Sequence, residues 1–191
     1  MKDRVLFINA CVRPSSRTKE LAQAVLDRLD EAVEEVDLYR MPTKTLDLIG
    51  MERRERAEQE QDFSHSDFDL AKQFAAADKI VIAAPYWDMT FPAVLKIYLE
   101  NITVCGLTFR YSDQGIPKSL CKAKELYYVT TAGGFIGQND FGFSYVNALS
   151  QTFFGIARIH RYAAEGLDIR GADTEAIMRK AKMEIISDFC R

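Results

Sequence analysis

Three short stretches of this chain hold the residues whose types and spacing could do chemistry. In the first, Cys11 to Thr18, the hydroxyls of Ser15, Ser16 and Thr18 and the guanidinium groups of Arg13 and Arg17 precede an apolar stripe. That stripe, Leu21, Ala22, Val25, Leu26 and Leu29, has helical spacing. Free N–H groups and the dipole at a helix N-terminus attract an anion, and hydroxyl and guanidinium donors strengthen that attraction. A phosphate monoester suits such a site, although a serine that only caps the helix explains the same residues. The second stretch, Ala84 to Pro92, sets Tyr86, Trp87, Met89 and Phe91 between two prolines directly after an apolar run. Large side chains crowded onto a surface loop suggest something covers them. A flat ring system could lie there with its polar edge on backbone N–H groups, or the loop could pack on a neighbouring element or subunit. The third stretch, Thr130 to Phe135, carries Gly133-Gly134, which either lets the backbone approach a planar ligand or simply makes a tight turn.

Other chemistries have no comparable footing. The G-x-G-x-x-G and P-loop fingerprints are absent from the first stretch, and no G-x-S-x-G elbow occurs. His65 and His160 fall outside the three stretches, and no His/Cys/Asp/Glu group has metal-ligand spacing, so neither a catalytic residue nor a metal ligand is nominated. Cys11, Cys105, Cys121 and Cys190 are scattered without a CxxC pair. Reduced, mostly buried thiols are expected, with Cys11, ahead of a helix, the one candidate redox switch.

The three stretches need a frame that gathers them. Arg4 to Ala10, Val33 to Leu38, Lys79 to Ala84, Glu125 to Thr131 and Ala157 to Ala163 read as strands. Helical patterns separate them: the stripe from Leu21, Phe68 to Ala77 with Leu70, Phe74 and Ala77 inward, Ala93 to Thr103, Asn147 to Phe154, and Asp173 to Phe189. The charged run from Met51 to Asp62 reads as a solvated helix or a mobile excursion. Leu107 to Ser112 alternates like a strand before an Asp113-Gln114-Gly115 turn and interrupts the α/β rhythm. Strands alternating with helices predict a three-layer α/β domain spanning 1–191, with a five-stranded parallel sheet in the flavodoxin-like order 2-1-3-4-5. In such a sheet ligands bind beyond the carboxyl ends of the strands near the switch in strand order, and the three stretches follow strands one, three and four.

A formal charge of −3 argues against a nucleic-acid partner. No apolar run approaches the roughly 18 residues of a membrane span, and the apolar run at the N-terminus is too short for a signal peptide. A cytoplasmic protein is expected.

Several of these residues also carry a resemblance. Ala84-Pro85-x-x-x-x-x-Pro92 is followed by Leu95-Lys96-x-Tyr98, then Gly106-Leu107-Thr108-Phe109-Arg110-Tyr111, then Thr130-Thr131-Ala132-Gly133-Gly134. With their spacing, these motifs resemble the FMN-dependent NADH-azoreductase and NAD(P)H:quinone oxidoreductase family of flavodoxin-like proteins, over most of the chain from residue 4 to about 165. The resemblance implies an enzyme that binds FMN and works as a homodimer with its active site near the subunit interface. It implies ping-pong transfer of two electrons from NADH or NADPH to quinone, azo or nitroaromatic acceptors. Ser16, Arg17 and Thr18 would hold the FMN phosphate with Cys11 nearby; Pro85, Tyr86, Trp87, Asp88 and Met89 would line the isoalloxazine ring; Thr131, Ala132, Gly133 and Gly134 would meet its other edge. Cys11 stands where the family commonly has a hydroxyl residue, Asp88 where it has Asn, and Ala132 where it has a larger polar residue. A carboxylate at Asp88 would oppose the negative charge of the reduced ring. A flavodoxin-type electron carrier without its own NAD(P)H site is the alternative, and a non-enzymatic flavin sensor switched through Cys11 a third. Carriers are typically strongly acidic with a glycine-bearing phosphate loop, whereas this loop carries arginines and no glycine.

Overall fold

The computed structural model describes residues 3–41 and 44–190. Five parallel strands form one sheet: β1 (Arg4–Asn9), β2 (Ala32–Asp37), β3 (Lys79–Ala83), β6 (Glu125–Thr131) and β7 (Arg158–Ala164). Their order is β2-β1-β3-β6-β7, the 2-1-3-4-5 order expected of the five sheet strands. The excursion after residue 107 makes the separate antiparallel hairpin of β4 (Phe109–Tyr111) and β5 (Pro117–Ser119). Its turn is closed by Ser112 and Gly115, the latter at φ +74°.

Side chains alternate across the sheet with a period of two, so each strand feeds two cores. From β1, Val5 and Phe7 enter one core with the buried stripe of α1 (Arg17–Leu29) and Met178, Ala181 and Ile185 of α6 (Thr174–Asp188). Leu6 and Ile8 enter the other, with α3 (Asp69–Ala76), α4 (Ala93–Ile102) and α5 (Phe141–Leu149). β2 is an edge strand whose Val33, Glu34 and Glu35 face solvent, leaving Val36 as its buried anchor.

The charged run is a helix, α2 (Leu48–Glu60), capped by Asp47 and burying only Ala57. Arg54 fastens it by donating to the carbonyls of Glu100 and Asn101 at the end of α4. The expected helical stretch Asn147 to Phe154 lies within a longer helical segment, which α5 opens at Phe141. Asp140 caps it by accepting from the Phe143 N–H, and a π turn (Ser150–Phe154) extends it to Gly155 at φ +63°. The aromatic- and glycine-rich opening of α5 has little helix propensity, and tertiary packing decides it. A Cβ at Gly142 would lie 2.9 Å from the Tyr128 hydroxyl. The four cysteines are free as expected; Cys11 and Cys121 are buried, but Cys105 is half-buried and Cys190 exposed.

Candidate functional site

The strand register aligns the carboxyl ends of the sheet: Asn9 lies beside Asp37 and Ala83, and Thr131 beside Ala164. At the end of β1, buried Asn9 shapes the exit. Its Oδ1 accepts from the Cys11 N–H at 2.9 Å and its Nδ2 donates to Glu35 at 2.9 Å. The chain then turns outward into α1, where the Ser16 hydroxyl accepts from the Lys19 N–H. Helix geometry gives the N–H groups of Arg17 and Thr18 no partner within α1.

The loop after β3 is held to β6 by the Tyr86 N–H donating to Thr131 at 3.0 Å. It then reverses on itself, with Trp87 and Thr90 exchanging N–H···O bonds of 2.8 and 2.9 Å. Asp88 at φ +50° and Met89 at φ +69° make this a type I′ turn, a conformation usually left to Asn and Gly. The turn consumes the N–H groups of Trp87 and Thr90, leaving those of Asp88 and Met89 without an acceptor inside it. The Tyr86 hydroxyl donates to the carbonyl of Asn139 at 3.0 Å, steadying the ring against the loop after β6.

That third loop is bound to the β7–α6 connection. Gly166, Leu167 and Asp168 donate their N–H groups to the carbonyls of Gly134, Ala132 and Gly133. Arg17 reaches the same connection, with Nη1 on the Leu167 carbonyl at 3.3 Å and Nη2 on Asp168 Oδ1 at 2.8 Å.

Between these loops lies a cavity of about 200 Å³. Ser16, Arg17 and Thr18 line one side, Pro85, Tyr86 and Trp87 another, and Thr131, Ala132 and Gly133 a third. The structure therefore brings these predicted residues together. It does not bring Cys11, Asp88, Met89 or Gly134 to the cavity wall. Cys11 is buried behind it, its Sγ 3.7 Å from the Ala83 carbonyl, and lines instead a smaller neighbouring cleft with Asp37 and Tyr39. Burial pushes its thiol up, outweighing the lowering influences of Ser16 and Lys19. The side chains of Asp88 and Met89 project to solvent from the turn. The hydroxyl of Thr18 is engaged at 2.6 Å by that of Thr131, so Thr18 offers the cavity its backbone rather than its side chain.

Val12, Arg13, Ser15 and Asp168 complete the lining. Arg13 and Ser15 belong to the first of the three stretches that the sequence offers as candidates, but Asp168 carries no sequence signal. It lies in a plain connection and is brought to the cavity by long-range contacts, its N–H on the Gly133 carbonyl and its carboxylate on Arg17. Both histidines lie elsewhere: His65 Nδ1 accepts from the Asp67 N–H, and His160 stacks on Tyr127 at 4.7 Å. Among the described residues no group of His, Cys, Asp and Glu is arranged to hold a metal ion.

Residues 3–187 match a protein family described as having a flavodoxin-like fold. An FMN-dependent NADH:quinone oxidoreductase of Clostridium beijerinckii is 31% identical over 192 residues, covering 94% of each chain. That of Lachnoclostridium phytofermentans is 34% identical over 191 residues, again covering 94% of each. Among solved structures, an azoreductase from Bacillus anthracis superposes with a TM-score of 0.85 over 98% of both chains at 24% identity, a likeness of fold.

Proposed function

Because the chain belongs to this family of flavodoxin-like fold, we propose that it is an FMN-dependent oxidoreductase that passes two electrons from NADH or NADPH to a quinone, azo or nitroaromatic acceptor. The observation that carries the reading is the cavity shared by the loops after β1, β3 and β6 where they meet.

The residues present fit FMN. At one end, the Ser15 and Ser16 hydroxyls, the Arg13 and Arg17 guanidinium groups and the start of α1 offer donors and positive potential for a phosphate dianion. Along the walls, the Pro85-Tyr86-Trp87 segment and the Thr131-Ala132-Gly133 backbone give flat surfaces of the kind a ring system needs. FMN, when bound, supplies the hydride and electron chemistry that no side chain of the cavity provides.

The chain's own part is to bind and orient. Ser16 fixes the start of α1, and the Thr18–Thr131 hydroxyl pair sets the floor between α1 and β6. Tyr86, tied to Asn139, and Trp87, held by the type I′ turn, keep one wall rigid. Trp87 remains 41% exposed, which leaves an aromatic surface at the mouth for a nicotinamide and a flat acceptor to use in turn, as a ping-pong cycle requires.

The same reading makes the protein a cytoplasmic homodimer without a nucleic-acid partner. In support, Met89, Phe135 and Phe141 stand exposed on the loops after β3 and β6 or at the start of α5. Among the described residues no helix is long and apolar enough to cross a membrane. Sedimentation of the purified protein checks the dimer.

The test of function is a visible absorption spectrum of the protein loaded with FMN, before and after anaerobic addition of NADH and then NADPH. Bleaching by one nucleotide and recovery on adding a quinone is the expected result. A flavin spectrum that neither nucleotide bleaches would favour an electron carrier, and failure to retain FMN would overturn the reading.

A further inference from the structure

The cavity proposed to take a phosphate also contains a carboxylate. Asp168 is fixed by its backbone, which donates to Gly133 at 2.9 Å, and its Oδ2 covers the glycine so closely that a Cβ there would lie 2.4 Å away. Its Oδ1 accepts from Arg17 Nη2 at 2.8 Å, while Arg17 Nη1 is turned onto the Leu167 carbonyl. Both terminal nitrogens of the arginine best placed for a phosphate therefore point at the β7–α6 connection. An incoming anion meets a guanidinium that already has a counter-ion, and a fixed charge of its own sign.

The pair is not a buried structural lock. The side chains of Arg17 and Asp168 are 36% and 66% exposed, and an ion pair so wet is weak and readily exchanged. A phosphate dianion at the same place would gain the start of α1 as well as the guanidinium. We propose that Asp168 is an exchangeable counter-ion: it holds Arg17 while no phosphate is present and yields it to the phosphate of the cofactor. By doing so it sets how tightly the pocket holds a phosphorylated flavin, and it keeps free inorganic anions from settling on Arg17. The proposal rests on the reading of this cavity as an FMN site.

The experiment is fluorescence titration of the flavin-free full-length protein with FMN and with riboflavin, at low and high sodium chloride. It compares wild type, Asp168→Asn, Arg17→Ala and the double variant. Asp168→Asn removes one like charge and frees Arg17, so it should tighten FMN on the order of fivefold at low salt. Riboflavin, which lacks the phosphate, should bind wild type and Asp168→Asn alike. High salt should shrink the FMN effect, and so should the Arg17→Ala background. Weaker FMN binding by Asp168→Asn would overturn the proposal, because Asp168 would then be positioning Arg17 rather than competing for it. Equal shifts for FMN and riboflavin, or an effect undiminished without Arg17, would also overturn it. Thermal melting with inorganic phosphate as the probe separates this outcome from failure of the FMN reading. If neither protein binds flavin, phosphate stabilising Asp168→Asn more than wild type still supports the exchange, and equal stabilisation overturns it.

Discussion

The hydroxyl oxygens of Thr18 and Thr131 lie 2.6 Å apart in a buried position, joining the first turn of α1 to the last residue of β6. The bond joins two of the three segments that frame the cavity. Replacing one threonine by valine keeps the shape but leaves a buried hydroxyl without its partner, at a cost of about 1 to 2 kcal/mol. Replacing both removes the unsatisfied group along with the bond. Urea unfolding of Thr18→Val, Thr131→Val and the double variant should therefore show a double loss smaller than the sum of the singles. Strict additivity would mean that each hydroxyl is satisfied some other way.

The type I′ turn at Asp88 and Met89 makes the opposite demand on the chain. A left-handed conformation costs an L-residue about 1 kcal/mol, and here two adjacent residues other than glycine adopt it. Met89 is 45% exposed, so its side chain contributes little packing in return. Met89→Gly should raise stability by roughly 0.5 kcal/mol, the relief being offset in part by the freer unfolded chain. Met89→Val, whose branch disfavours positive φ, should lower it by more than about 1 kcal/mol. Thermal melting of the two variants gives the order directly, and a reversed order would show that the methionine side chain matters more than the backbone.

These two features mark where the sequence was and was not legible. The frame is local in its signals. The apolar run of β1 and the stripe of α1 each announce a period, and their order along the chain leaves few topologies. Thr131 and Thr18 fall within the stretches that the sequence marks out, because strand ends and helix starts are where the periods break. What their hydroxyls do was not readable, since the bond depends on how far β6 and α1 approach in space. Asp88 and Met89 were expected against the ligand, yet the turn that carries them outward has none of the Asn-Gly chemistry that announces such turns. The start of α5 was hidden because Gly142 and its aromatic neighbours are chosen for fit against Tyr128 and Phe91, not for helix propensity. Asp168 was invisible for the same kind of reason, its partner Arg17 being 151 positions away.

The thiols should react in an order set by burial. The Cys121 thiol, 6% exposed, is pushed up to about 12 by burial, and Cys11 is raised by the same cause. Cys105 is half-buried and donates to Glu58 Oε1 at 2.8 Å; burial and that carboxylate both hold its proton on. Cys190 is exposed near the end of α6. Since the thiolate is the reactive form, a disulfide reagent at neutral pH should label Cys190 quickly and the others only on unfolding. Mass spectrometry of the labelled native protein checks this. Rapid labelling of Cys11 would contradict its burial and reopen a redox role for it.

Acid should weaken the fold partly through Asp78. Its Oδ1 accepts from Lys122 Nζ at 2.9 Å and its Oδ2 from the Arg4 N–H at 2.9 Å, so the start of β3 is tied to the start of β1 and to the approach to β6. The Lys122 bond, with the Arg4 bond second, holds the carboxyl below the usual carboxylate range. The folded value thus lies below the unfolded one. The stabilisation is present above the unfolded value and is lost as pH falls through the folded value. Asp78→Asn should be less stable than wild type near neutral pH, and the gap should close as the pH falls below the ordinary carboxylate range and through the lowered folded value. Denaturant midpoints of the two proteins, measured across that range, supply the comparison. A gap that stays constant with pH would assign the effect to hydrogen-bond geometry alone, with no contribution from the charge of the carboxylate.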